Sequence, residues 1–401
     1  MQSFHGQDLS ERTRSALRRL EMCFSDSSSA TASIPGLGGA SEEQAAQIVD
    51  EHIFCQPPNA DAVYYKLWFQ KLSAIQELVI LETLVDFYKN QTNESLCNSV
   101  FKTMFHAGMY DGRKELLYRL VSMAVGVECS HLLNSAAVWM QMQSCSSDVV
   151  VQLMKTLVHD YCHLLGGVES PLRRLPALSA HFTCNFITAL CRSPGVANKP
   201  GITNDLLELF TEWILADPKL CLVSLSHSQN ALLQPQRTTL WTSPTKPNTQ
   251  TPVPGLVRCC LLGSLTDHRS GADGRCHSAP LWSKLHVALL QTICAFPSLP
   301  GAAQLELITL VDMQRIVMEV TEHIQKVAAP VNQDVTYRLL QVLQVALATG
   351  AFRCSLVDLR GIFKQIPPNR LLKILECQHL SSVPPQMHNV SVCRPLDLAT
   401  S

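Results

Sequence analysis

Residues 339–376 read "LLQVLQVALATGAFRCSLVDLRGIFKQIPPNRLLKILE", and the stops in that stretch leave few folds open. Val335, Leu339, Val342, Leu343 and Ala346 recur three and four apart, the spacing of one face of an α-helix. Gly350 ends that helix, because glycine enters the left-handed conformation of a helix C-terminus at no steric cost. Ser355 and Asp358 form a Ser-x-x-acid capping box that opens the next helix, with Leu356, Leu359 and Phe363 expected to face inward. Pro367 and Pro368 end it, and "NRLLKILE" forms a third. The order is helix, stop, cap, helix, stop, helix, and no residue type in it points to a reaction.

The same pattern runs at longer intervals through the rest of the chain. A first helix is predicted from Ser10 to Cys23, followed by a small, polar, Gly-rich loop at 24–40. "SEEQAAQIVDEHIF" opens with Ser41 as cap and acids in its first turn. In "LSAIQELVILETLVDFYKNQ", Ile75, Leu78, Val79, Leu81, Leu84, Val85 and Tyr88 wrap most of the helix circumference, which predicts packing on more than one side. Further helical segments follow, ending with "PALSAHFTCNFITALCR". Thr203 or Asn204 caps the next helix, and Asp217 followed by Pro218 predicts the start of another. No Asn-Gly or Asp-Gly hairpin signal accompanies the short valine runs.

The predicted organisation is a helical-repeat region at 1–226, a Pro/Ser/Thr-rich linker at 227–280 carrying a short helix at 255–265, a second helical-repeat region at 281–377, and a flexible tail at 378–401. In the second region Leu281, Leu285, Ala288, Leu289, Thr292 and Phe296 form one inner face, and "AAQLELITLVDMQRIVMEVTEHIQKVA" reads as one long amphipathic helix. About fourteen helices with short connections and no sheet predict an all-α fold of the HEAT or armadillo type, an α-solenoid of degenerate helix pairs. Its two helical parts are separated by a disordered central loop.

Composition narrows the function classes. Apolar residues make up 46% of the 401 positions and charged residues 16%, against roughly a quarter charged in ordinary domains. Such a chain buries much surface, in its own core or against partners. The formal net charge is −1, and the densest basic cluster, "RTRSALRR", is flanked by Glu11 and Glu21, so no nucleic-acid footprint stands out. The first twenty residues show no apolar signal segment, and no apolar run reaches bilayer length. The expectation is a soluble chain in a reducing compartment, whose 16 Cys act as small buried hydrophobes.

Candidate chemistry is sparse. His159 and His163 in "HDYCH" share a helix face, the spacing of a helical zinc site, with Asp160 and Cys162 beside them. The general-base Glu of such sites is missing and no third ligand is marked. Asp267, His268, Asp273, Cys276 and His277 are ligand types without a zinc-knuckle spacing, and Cys259 and Cys260 have no partner pair. No Gly-x-Ser-x-Gly elbow, phosphate loop or kinase signature occurs. The residues point to an interaction protein without a cofactor; the alternatives are a zinc-dependent helical enzyme and another helical-repeat adaptor.

Several stretches taken together resemble the Integrator complex subunit 15 family: "LSAIQELVILETLVDFYKNQT", "RLVSMAV", "VHDYCHL", "FITAL", "WILADPKL", "GLVRCC", "LWSKLHVALLQTI" and "LQVALATGAFRCSLVDLRGIFKQIPPNRLLKIL". They are collinear with the family from about Ser15 to Glu376. The resemblance implies a nuclear, non-catalytic scaffold subunit of the Integrator complex. That assembly trims small nuclear RNA 3′ ends and attenuates RNA polymerase II transcription. It further implies a place beside subunits ten, thirteen and fourteen in a peripheral module docked to the core, with no catalytic residues to carry over. The chain departs from the family pattern in lacking a Lys-rich central loop and a longer Pro-rich C-terminal tail.

Overall fold

Capping chemistry sets most of the helix starts in the computed structural model, which describes residues 3–29, 38–54, 73–106, 108–164, 171–192, 202–225, 250–270, 279–326 and 331–380. Helix α1 spans Ser3–Ser29 and α2 Gly38–Ile48, which continues as a π-helical turn, Val49–Ile53. The loop expected at 24–40 is therefore helical at both ends, and Ser41 lies inside α2 rather than capping it. Helix α3, Ala74–Asn90, starts at Ser73, where the Gln76 N–H donates to Ser73 Oγ (3.3 Å) and the Ser73 N–H donates back to Gln76 Oε1 (2.9 Å). Its apolar residues are not buried all round. Ile80, Leu81, Leu84, Val85 and Tyr88 are buried, but Ile75 and Leu78 in the first turns are exposed.

Helices α4 (Glu94–Met104), α5 (Asp111–Gly126), α6 (Ser130–Gln143) and α7 (Asp148–Val158) follow as the periodicity predicts. "PALSAHFTCNFITALCR" breaks at Ser179, whose hydroxyl caps α8 (Ala180–Arg192) by accepting from the Phe182 N–H at 3.1 Å. Thr203 caps α9 (Asn204–Ala216). After Asp217 and Pro218 the chain makes a 3-10 turn at Leu220–Leu222.

The helix expected at 255–265 is present but longer, and it is packed into the core. Helix α10 runs Val253–Ser270, and Leu256, Val257, Cys259, Cys260, Leu261 and Leu265 on it are buried. It packs against α8 and, beyond it in sequence, against α11 (Ala279–Ala295), α12 (Leu310–Ile324) and α13 (Val331–Thr349). Two helical glycines mark its closest approaches. A Cβ on Gly255 would lie 2.6 Å from Cys191 Cβ on α8, and one on Gly263 would lie 2.3 Å from the Trp282 ring on α11. Helix α9 also packs on α11. The helices on either side of α10 thus share one apolar core, continuous from Leu9 to Leu375. The rest of the expected linker, apart from 250–270 and 279–280, lies outside the described residues.

The C-terminal helices follow their stops closely. Val335, Leu339, Val342, Leu343 and Ala346 of α13 are buried. Gly350 takes φ +69° and its N–H donates to the Leu347 carbonyl at 3.2 Å. The long helix expected from Ala302 starts only at Leu310, because Thr309 caps it by the same device that Ser355 uses for α14 (Leu356–Gln365). In each, the hydroxyl accepts the N–H of an aspartate three residues on, at 3.1 Å, and donates to its carboxylate. The leads into these two helices lie side by side: Ile308 and Phe352 form an isolated parallel bridge, and the Leu307 and Ile308 N–H groups both donate to the Ala351 carbonyl. Leu359, Ile362 and Phe363 of α14 are buried, but Leu356 is exposed, against expectation. Helix α15, Arg370–Leu380, extends past Glu376, and residues 381–401 lie outside the described set.

Candidate docking surface

The turn that carries the His pair is held to α5 by its Asp160 and Tyr161. His159 to Leu164 form a π-helical turn that prolongs α7. Ser122 of α5 donates to Asp160 Oδ2 at 2.6 Å, and the Tyr161 hydroxyl donates to the Ser122 carbonyl at 2.5 Å. Gly126 makes room, since a Cβ there would lie 2.9 Å from the Tyr161 oxygen. Burial pushes both the Tyr161 phenol and the Cys162 thiol up. His159 and His163 share the turn, and the described residues bring no group of three His, Cys, Asp or Glu together around a metal-sized point. Asp267 and His268 lie in the last turns of α10, while Asp273, Cys276 and His277 fall outside the described residues. Cys259 and Cys260 are buried in α10. Burial pushes the Cys260 thiol up to about 12, whereas hydrogen bonding to Cys191 holds Cys259 below its ordinary value.

One polar site carried no sequence signal. Arg113 of α5 is 2% exposed and ion-paired with Asp50. It also hydrogen-bonds His106 Nε2 at 2.9 Å and stacks 4.0 Å over the Phe54 ring. Burial lowers its pKa to about 10, so it stays charged at neutral pH. It pins the π turn after α2 to α5. In sequence it sits in "DGRKELL", where nothing separates it from the half-exposed Lys114 and exposed Glu115 beside it.

The C-terminal end of the array is different. Exposed apolar side chains gather on α14 (Leu356, 61%; Val357, 77%) and recur at Ile374 of α15 and Tyr337 of α13. A cleft of about 720 Å³ runs between the end of α12, the start of α13 and the turn into α15. Tyr337, Pro367, Pro368 and Leu371 give it apolar walls, and Gln325, Asn332, Gln333 and Asn369 give it carboxamides. Asn332 Oδ1 is buried and accepts no hydrogen bond from a described residue. A second depression of about 420 Å³ on the outer face of α15 is formed by Arg370, Lys373, Ile374, Cys377 and Gln378. Arg370 lines both. No residue here has the geometry of a nucleophile beside a base; what the arrangement offers is an apolar surface with hydrogen-bonding edges.

Comparison with known proteins places nearly the whole array. The family model described as Integrator complex subunit 15 matches residues 1–368. The human Integrator complex subunit 15 is 30% identical over 366 residues, covering 82% of this chain and 76% of the human protein. The Drosophila melanogaster protein of that name is 26% identical over 347 residues, covering 82% of this chain and 86% of its own. The Danio rerio one is 28% identical over 382 residues, covering 89% of this chain and 76% of its own. The family match begins at residue 1, just before α1, and ends at the proline pair after α14, so it takes in nearly every helix described above. The chain belongs to the Integrator complex subunit 15 family.

Proposed function

We propose that this chain is a non-catalytic scaffold subunit of the Integrator complex in the nucleus, where it docks a peripheral module of subunits ten, thirteen and fourteen to the core. The processes served are small nuclear RNA 3′-end processing and attenuation of RNA polymerase II transcription. The observation that supports this reading most is the family match over residues 1–368, which spans the helical array nearly end to end. Mechanism here is shape. Degenerate helix pairs stacked in sequence order hold a long surface rigid, and partner binding buries the apolar side chains that the array leaves out. Direct RNA contact is not part of the role, since several described cations are engaged by carboxylates on other elements, as in Arg119–Glu77, Arg174–Glu128 and Arg258–Glu319. The test is affinity purification of the tagged full-length chain from nuclear extract. Co-recovery of subunits ten, thirteen and fourteen with the core is expected; recovery only as a free monomer overturns the role.

A further inference from the structure

We infer that the α14–α15 end of the array is a docking surface for an acidic, apolar-studded segment of a protein partner, bound along the cleft and the outer face of α15. The inference rests on the docking role proposed above and assigns it a place and a partner chemistry.

Charge is the first argument. Arg360 and Lys364 on α14 and Arg370 and Lys373 on α15 are exposed, and none of them makes an ion pair or hydrogen bond among the described residues. Residues 331–380 hold six Lys and Arg against three Asp and Glu, while the whole chain is formally −1. Of those three carboxylates, Asp334 is taken by Arg338 and Asp358 by the Ser355 cap. With two of its three carboxylates already engaged, this twofold excess of cations leaves a positive edge that complements an acidic segment.

Surface chemistry is the second. A solenoid normally closes its ends with a polar outer face. Helix α15 instead leaves Ile374 exposed in the depression that Arg370 and Lys373 also line, and α14 leaves Leu356 and Val357 bare. Apolar residues set among cations suit a protein segment better than a phosphate backbone. In the adjoining cleft, Gln325, Asn332, Gln333 and Asn369 offer donors and acceptors that match peptide groups, and the buried Asn332 Oδ1 awaits a donor such as a main-chain N–H. The Tyr337 and Pro367–Pro368 walls accept an apolar side chain. Because Arg370 lines both depressions, one elongated segment spans them where a compact ligand fills only one. The chain's own tail, 381–401, is a poor occupant by the same logic: it carries a single carboxylate side chain, Asp397, balanced by Arg394.

The test places a photo-cross-linking amino acid at Gln378, which is exposed on α15, in the full-length chain in living cells. It reads the sequence of the cross-linked partner. The Arg370→Glu/Lys373→Glu pair is compared with Lys284→Glu, an equally exposed control on α11, and a thermal melt confirms that both variants fold. The inference expects one acidic segment of another subunit, its cross-link yield falling at least about tenfold in the double variant and unchanged in the control. Cross-links to the chain's own tail, to RNA or to nothing overturn it, as does an acidic cross-link indifferent to the double variant. If the wild-type chain recovers Integrator subunits but this surface fails, the role stands and the surface falls. If it recovers none, the role falls, and the cross-link still decides whether the surface takes an acidic segment.

Discussion

Helices α10 and α15 each follow a proline and carry an apolar face, yet they end in opposite environments. In α10 both glycines are pressed against neighbours, and Cys260, Leu261 and Leu265 are buried. In the α14–α15 pair the helical Gly361 has open space around its Cα, and only Leu372 and Leu375 of α15 are buried. The difference shows what a helical array asks of an inner helix and of an end helix. An inner helix gives up side-chain volume so that neighbours on both sides come close; an end helix keeps its volume and leaves one face to the outside.

The largest test of that contrast is truncation. Leu261→Ala on α10 is expected to cost about 2–5 kcal/mol, as buried leucines do, whereas Ile374→Ala on α15 costs no more than about 0.5 kcal/mol. Denaturant unfolding of both variants checks it, and equal losses would erase the distinction. Glycine gives the sharper version, because the sign reverses. Gly263→Ala drives a methyl into the Trp282 ring and destabilises by about 1–3 kcal/mol. Gly361→Ala meets nothing within 4 Å and stabilises by about 0.5–1 kcal/mol. Melting temperatures moving the same way would contradict it.

Smaller effects are expected where the ends resemble each other. Thr309→Ala and Ser355→Ala each remove the same cap and should each cost about 1 kcal/mol. A loss at only one of them would show that the paired leads at Ile308 and Phe352, not the hydroxyls, hold the helix starts. The smallest effect is pH dependence at His286 of α11, which is buried and whose Nε2 hydrogen-bonds Gln341 Oε1 at 2.9 Å, with Arg338 and Asp334 facing it from α13. Burial lowers its pKa below 6.5. The unfolded chain therefore takes up a proton at a higher pH than the folded one. The stability this group contributes is complete above pH 6.5 and is lost as pH falls through the folded pKa. His286→Gln should flatten that part of a stability-versus-pH curve.

What was legible in the sequence was local. Gly350, Ser355, Thr203 and the α13 stripe could be placed because a cap or a stop acts within four residues of itself. Thr309 was equally local, yet the apolar run of Leu305, Leu307 and Ile308 before it read as helix and masked the boundary. Burial of α10 was not legible, since it depends on α8 and α11, whose surfaces lie far away in sequence. The pairing of Arg113 with Asp50 across 63 positions is likewise invisible to any window. Leu356 failed for a different reason. A helical wheel assigns faces but not whether the first turn projects past its neighbour, and here it does. The candidate site suffered most, because a cleft shared by α12, α13 and α15 exists only after all three have met.

Helix α10 also sets an order on the ribosome. The face of α8 around Cys191 is covered only when Val253–Ser270 arrives, after the whole stretch beyond Arg192 has been synthesised. At roughly 5–20 residues per second that delay is on the order of seconds. For that interval the nascent N-terminal helices present an unfinished apolar wall, so a chaperone, or a partner already waiting, has its opening during translation rather than after release.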